Sequence, residues 1–250
     1  MANEFWMSDG EWAVVEPLIP MNRRGVKPRR NRKVISGIMH VLKVGCRWRD
    51  CPEMYCPHTT IYNRFNQMVE GRHLGKDAAS TGGTGIERSA EHRQHHLQGT
   101  SLRRRGKRGA QEQEIGRSRG GRTTKIHAVA NASGNLIAFD LSAGQIGDVR
   151  SAPGLIETLP KAAQVLADTA YDSDKFREFL IARGSTPVIK PNPTRKNIPP
   201  FDKVSYKGRN LIERAFSHLK DWRRVATQYD KLTRNFRATV TLALLFRWWI

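Results

Sequence analysis

Residues 124–172 read TKIHAVANASGNLIAFDLSAGQIGDVRSAPGLIETLPKAAQVLADTAYD. TKIHAVAN and LIAFDLSAG each alternate apolar and polar side chains about the Gly-containing ASGN at 132–135, a pattern that predicts a β-hairpin. SAPGLIETLP (151–160) then predicts a helix, and AQVLADTAYD (163–172) a buried strand running out into a loop. Further along, DSDKFREFLIARG (172–184) predicts a second helix ended by Gly184, and TPVIKPNP (186–193) a short strand. Strands interleaved with helices predict an α/β sheet.

Upstream, residues 1–70 predict short helices. Asp9 is a candidate cap for a segment carrying Trp12, Val15 and Leu18, which PLIP (17–20) ends. VISGIMHVLKVG (34–45) predicts an apolar helix terminated by Gly45, and TTIYNRFNQMVE (59–70) another with Ile61, Phe65 and Met68 or Val69 on one face. The whole reads as a small helical, helix-turn-helix-like domain. Downstream, the last quarter predicts helix from SYKGRNLIERAFSHLKDWRRVATQYDKL (205–232) to the apolar tail. Between these regions, residues 72–109 are rich in Gly, Arg, His and Gln without periodicity and have the composition of a linker.

The 250 residues suffice for a sizeable core, and 43 Lys and Arg against 23 Asp and Glu give a formal charge of +20. That imbalance points to an acidic polymer as partner. The apolar tail VTLALLFRWWI is too short to span a bilayer and carries Arg247, and the N-terminal stretch lacks a signal-peptide pattern, so a cytoplasmic, nucleoid-associated location is expected. Cys46, Cys51 and Cys56 are an odd set without a C-x-x-C pair. A zinc site with His40 or His58 as fourth ligand is conceivable, but structural or incidental thiols are the expected reading.

The clearest chemical constellation lies in the segment beginning near Tyr206. At helical spacing Tyr206, Arg209, Glu213 and Lys220 fall within roughly 60° of one another, beside an apolar stripe of Leu211, Ile212, Ala215, Phe216 and Leu219. Taken alone, this also describes a solvated face with an Arg209–Glu213 pair at i, i+4. The spacing, however, resembles the YREK signature of DDE transposases from bacterial insertion sequences. GCRWRD (45–50), IGRSRGGRTTKIHAV (115–129), LADTAYD (166–172) and RRVATQYDKLTRNF (223–236) resemble the same family. The resemblance spans residues 5–70 and 110–250.

It implies an RNase H-like mixed sheet flanked by helices, preceded by a helical DNA-binding domain over 1–70. It also implies metal-dependent cleavage and strand transfer of DNA. Asp168 corresponds to the second catalytic aspartate and Glu213 to the catalytic glutamate, both as ligands of a two-metal Mg²⁺ or Mn²⁺ site. Carboxylates suit that chemistry because hard divalent cations prefer oxygen donors and a metal pair can activate the attacking and leaving oxygens. Tyr206, Arg209 and Lys220 take supporting roles, with Lys220 directed to DNA phosphates. Asp148, Asp172 and Asp174 read as cap or turn carboxylates.

The family's first aspartate has no counterpart, because residues 91–101 read EHRQHHLQGTS. Codons permitted for residues 92–100, read one nucleotide later, can encode IDSTTYKAH, and those for 72–77 can encode GIWEKM. The expectation is an atypical basic segment over 71–109, translated out of frame, followed by a catalytic domain over 110–250 lacking its first strand and impaired in catalysis. A natural basic linker is the other reading.

Arg23, Arg24, Lys27, Arg29, Arg30, Arg32 and Lys33 form a cationic loop, with Arg47, Trp48 and Arg49 one helix later, and all are candidate DNA contacts. The expected partners are the element's double-stranded ends, target DNA and further copies of the chain on DNA. A non-catalytic DNA-binding protein that interferes with an intact transposase is the alternative.

Overall fold

The computed structural model describes residues 4–19, 30–70, 94–103, 116–118, 121–248 and 250. The chain divides into two compact units, one of residues 1–81 with 219–250 and one of residues 82–218. The C-terminal helices from Leu219 onward thus group with the N-terminal residues.

Among the described residues, the first unit is helical. α1 (Asp9–Val15) is capped by Ser8, one residue earlier than expected. Its hydroxyl accepts from Glu11 N–H while Glu11 accepts from Ser8 N–H, a reciprocal capping box. Pro17 then closes the helix into a single 3₁₀ turn. α2 (Asn31–Val44) is buried continuously from Val34 to Leu42 and stops where Gly45 takes φ 74°. Gly37 in its middle lies against Tyr55 and Ile61, and a Cβ there would sit 2.9 Å from each. α3 (His58–Glu70) buries Ile61, Phe65 and Met68. Residues 45–57 separate α2 from α3, longer than the three or four residues of a helix-turn-helix connection, so these two helices depart from that motif.

Among the described residues, the second unit is built on a six-stranded sheet. Its strands are β1 (Gln94–Arg103), β2 (Gly116–Ser118), β3 (Gly121–Ala130), β4 (Leu136–Ala143), β5 (Gln164–Ala167) and β6 (Thr186–Ile189). β3 and β4 form the predicted hairpin, with Gly134 at φ 82° in its turn. β3 pairs antiparallel with β1, which pairs parallel with β5, and β5 pairs parallel with β6. The order β4-β3-β1-β5-β6, three antiparallel strands continued by two parallel ones, is an RNase H-like mixed sheet.

The expectation of a catalytic region without its first strand is therefore corrected, since β1 occupies the middle of the sheet. Composition hid it because QHHLQGTSLR carries no clean alternation of apolar residues; pairing on both sides defines it. α4 (Asp148–Glu157) and α5 (Asp174–Ala182) supply Ala152, Leu155, Ile156, Phe176 and Leu180 to a core shared with Leu97, Val129, Val165, Ala167 and Ile189.

The last quarter is helical but broken. α6 (Lys203–Tyr206) passes through a 3₁₀ turn (Lys207–Arg209) into α7 (Asn210–Lys220), followed by α8 (Arg223–Ala226) and α9 (Thr233–Trp248). Tyr206 and Glu213 thus lie on successive segments rather than on one regular helix. No described helix is long and apolar enough to cross a membrane.

Candidate active site

β5 ends at Ala167, and Asp168 follows as the cap of a 3₁₀ turn over Thr169–Tyr171, its Oδ1 accepting from Ala170 N–H at 2.9 Å. The turn is anchored from beneath by Tyr171, fully buried, whose hydroxyl lies 3.2 Å from His127 Nδ1 on β3. His127 Nε2 in turn meets Ser142 Oγ of β4 at 2.7 Å, so three strands fix the position of Asp168. Beyond the turn, the Asp172 carboxylate, with no exposed surface, accepts from Arg177 Nε at 2.9 Å, Arg195 at 3.0 Å and Asn192 N–H at 2.7 Å. This latch ties the loop after β6 to the loop after β5. Asp174 pairs with Arg195 at its edge, so Asp172 and Asp174 hold loop structure.

Glu213 lies in the first turn of α7, exposed, and is paired with Arg209. Arg209 also donates to the Tyr206 hydroxyl at 3.0 Å and sits 5.6 Å from its ring centre. Tyr206, Arg209 and Glu213 therefore form one connected group despite the break between their segments. Burial pushes the Asp168 carboxyl above its usual range, opposed by Ala170 N–H and Arg209 and reinforced by the negative charges of Asp148 and Glu213. Asp168 and Glu213 thus lie within electrostatic reach of each other. Burial likewise raises the Tyr206 phenol. Lys220, exposed, ends α7 and belongs to the first unit.

The strand beside Asp168 is β1. Leu97 pairs with Ala167, so Gln98 and Asp168 come next in register and fall on the same side of the sheet. Leu97 points into the core. A Cβ on Gly99 would lie 3.2 Å from both His127 Nδ1 and the Tyr171 hydroxyl, which leaves no room for a longer side chain. Position 98 is thus the position on β1 that stands beside Asp168 in register. It carries an amide, and Gln98 Oε1 is buried without a hydrogen-bond partner. Sequence reasoning missed Gln98, because register is set by pairing. Position 93, where the shifted reading puts an aspartate, lies outside the described residues. Asp148, at the start of α4, is paired with Lys125 Nζ at 2.7 Å, and Lys125 also donates to Ile146 C=O at 2.8 Å.

Among the described residues, no group of three His, Cys, Asp or Glu side chains is arranged to hold a metal ion. Asp168 and Glu213 supply hard oxygen donors, but one is already paired with a guanidinium and the neighbouring strand adds a neutral amide. The described residues do not fit a complete two-metal site.

Of the candidate DNA contacts, Arg23, Arg24, Lys27 and Arg29 lie outside the described residues. Arg30 is exposed. Arg32 is occupied, donating to Met7 C=O at 3.1 Å and pairing with Asp9. Lys33 is half-buried near Trp6 and Met7. Arg47 is exposed but held by Asp50 at 2.6 Å, Arg49 is exposed, and Trp48 packs against Phe65 at 4.9 Å. Cys51 and Cys56 are buried, and burial pushes the Cys51 thiol up to about 12.

Residues 96–247 match the family described as "Transposase DDE domain", and residues 7–74 match "Putative transposase of IS4/5 family (DUF4096)". A Brucella ovis protein named "Putative transposase for insertion sequence element IS6501" is 39% identical over 127 residues, 50% of this chain and 98% of that protein. A Burkholderia cepacia protein named "Putative transposase for insertion sequence element IS402" is 28% identical over 119 residues, 43% of this chain and 54% of that protein. The catalytic core of BIV integrase aligns with TM-score 0.38 at 16% identity, covering 62% of this chain and 82% of that one. The Mos1 transposase paired-end complex aligns with TM-score 0.28 at 14% identity, covering 91% and 80%. The fold assignment rests on the strand order described above. With the Asp168 and Tyr206-to-Glu213 elements in the second unit and the family match over 96–247, the chain belongs to the DDE transposases of bacterial insertion sequences.

Proposed function

We propose that this transposase binds the double-stranded ends of its insertion sequence through the basic residues of the helical unit, as a homo-oligomer on DNA in the cytoplasm. Its carboxylate site is impaired in cleavage and strand transfer. The observation that supports the second half is the pairing of Leu97 with Ala167, whose next step in register brings Gln98, an amide, beside Asp168. In an intact site a pair of Mg²⁺ or Mn²⁺ ions would supply activation of the attacking oxygen and stabilisation of the leaving oxygen. Asp168 and Glu213 are the residues assigned to hold them, and two carboxylates fall short of that task.

Two buried histidines in β1 support an origin of this strand outside the family's reading frame. His95 and His96 occupy core positions of a central strand, and neither ring nitrogen of His96 has a hydrogen-bond partner. A natural core strand satisfies or avoids such groups. Sequencing the gene tests this origin: codons that shift into stops or unrelated residues between 72 and 109 contradict it.

A second reading, a DNA-binding protein that interferes with an intact transposase, is favoured by the helical unit being compact in its own right. Incubating the chain with terminal-repeat DNA and Mg²⁺ or Mn²⁺ tests the main reading. Retarded mobility without nicking is expected, and metal-dependent cleavage would refute the impairment.

A further inference from the structure

The helical unit contains a cleft of about 700 Å³ bounded by Arg47 to Arg49, the start of α3 and the segment leading into α9. Its floor is organised by Arg224. That guanidinium is buried, donating to both oxygens of Asp230 at 2.7–3.2 Å and to Cys46 C=O at 3.0 Å. Thr239 Oγ1 donates to the same carboxylate at 2.9 Å. A charge so fully paired is closed to a ligand. What Arg224 does is hold two rings, its guanidinium carbon lying 4.8 Å from the Trp48 ring centre and 4.6 Å from that of Tyr229. Just before Tyr229 the chain turns at Gln228, which takes φ 45°, a left-handed conformation unfavourable for a side-chain-bearing residue. Backbone strain and a buried ion pair are thus both invested in presenting Tyr229.

Tyr229 remains 45% exposed and Tyr62, from α3, 39% exposed, both lining the cleft. Aromatic faces in a concave, cationic surface are of little use to a base-paired duplex, whose bases already cover each other's faces. They suit a base that has left the stack. Lys231 and Arg49, both exposed, lie on the same cleft and match the phosphates flanking such a base. Asn63 and Asn235 offer amide donors and acceptors to a base edge.

We propose that this cleft binds an unstacked nucleotide of the DNA, with Tyr62 and Tyr229 as stacking surfaces and Arg49 and Lys231 on its phosphates. The inference rests on the reading that the helical unit binds DNA. The full-length chain is titrated, at one salt concentration, into a labelled blunt duplex and into the same duplex carrying a short thymidine overhang. The overhang is expected to tighten binding about tenfold, within the range that base–aromatic stacking supplies. Tyr62→Ala and Tyr229→Ala should each remove most of that preference while leaving affinity for the blunt duplex unchanged, and Tyr229→Phe should keep it. Equal affinity of the unaltered chain for both probes overturns the cleft assignment alone, as does a preference that survives Tyr62→Ala combined with Tyr229→Ala. Binding to neither probe overturns the DNA-binding reading together with it.

Discussion

Replacing His96 with leucine should stabilise the second unit, and more so in acid. His96 sits on β1 between Ala130 and Leu166, all three without exposed surface. Its two ring nitrogens have no partners, so the native state carries their desolvation unrelieved, a penalty of about 1–3 kcal/mol per unsatisfied group. Leucine is of similar size and suits the aliphatic neighbours. Burial also lowers the imidazole from 6.5 to about 4. Below pH 6.5 the unfolded chain binds a proton that the folded chain refuses, so stability is complete above 6.5 and is lost as the pH falls toward 4. The loss amounts to about 3 kcal/mol over that interval. His96→Leu lacks this dependence, while the acid sensitivity of every other group is common to both proteins and cancels.

The variant should therefore be more stable by roughly 1–3 kcal/mol at neutral pH, with an advantage that widens by a further 2–3 kcal/mol or so near pH 4.5. All six tryptophans lie outside residues 82–218, so their fluorescence reports the other unit. Native-state hydrogen exchange of peptides covering β1 and β3 reads the right element. A variant that is less stable, or whose advantage stays constant with pH, would refute the burial of this strand.

Further outcomes follow from the loops around Asp168. Asp172→Ala leaves Arg177 and Arg195 facing each other without their shared carboxylate, and should cost about 3–5 kcal/mol in urea unfolding followed by the same exchange method. A loss under 1 kcal/mol or so, the scale of an exposed pair, would contradict the latch. Arg209→Gln removes a cation that lowers the Asp168 carboxyl, so its titration by carbon NMR should move still higher, and an unchanged or lower midpoint would separate the two residues. Restoring the suspected reading frame puts an aspartate at 93, five residues before Gln98. If it is to meet Asp168, β1 must re-pair with β5 in a register displaced by that amount, which a structure of the restored chain would reveal.

What could be read in advance followed from local pattern. The β3–β4 hairpin, α4 and α5 declared themselves by alternation, helical spacing and their glycines at 134 and 184. Gly45 marked the end of α2 for the same reason. β1 could not be read, because its histidines and glutamines belong to no binary pattern and only two-sided pairing makes it a core strand. The association of α8 and α9 with the N-terminal helices depends on contacts such as Arg224 with Cys46, 178 residues apart. Nothing in local pattern marks Arg224 and Asp230 as a buried pair. Asp168 and Glu213 are proposed from the strings around them, whereas Gln98 required a register, and a register is a property of the folded sheet.

Central to the proposed impairment is the amide beside Asp168, which leaves the carboxylate site incomplete. Calorimetric titration of Mn²⁺ into the unaltered chain and into Gln98→Asp measures this without requiring DNA cleavage. Weak binding by the unaltered chain and a gain on the order of tenfold to a hundredfold in Gln98→Asp are predicted. Equal affinity in the two proteins, or tight binding of two ions by the unaltered chain, would contradict the account.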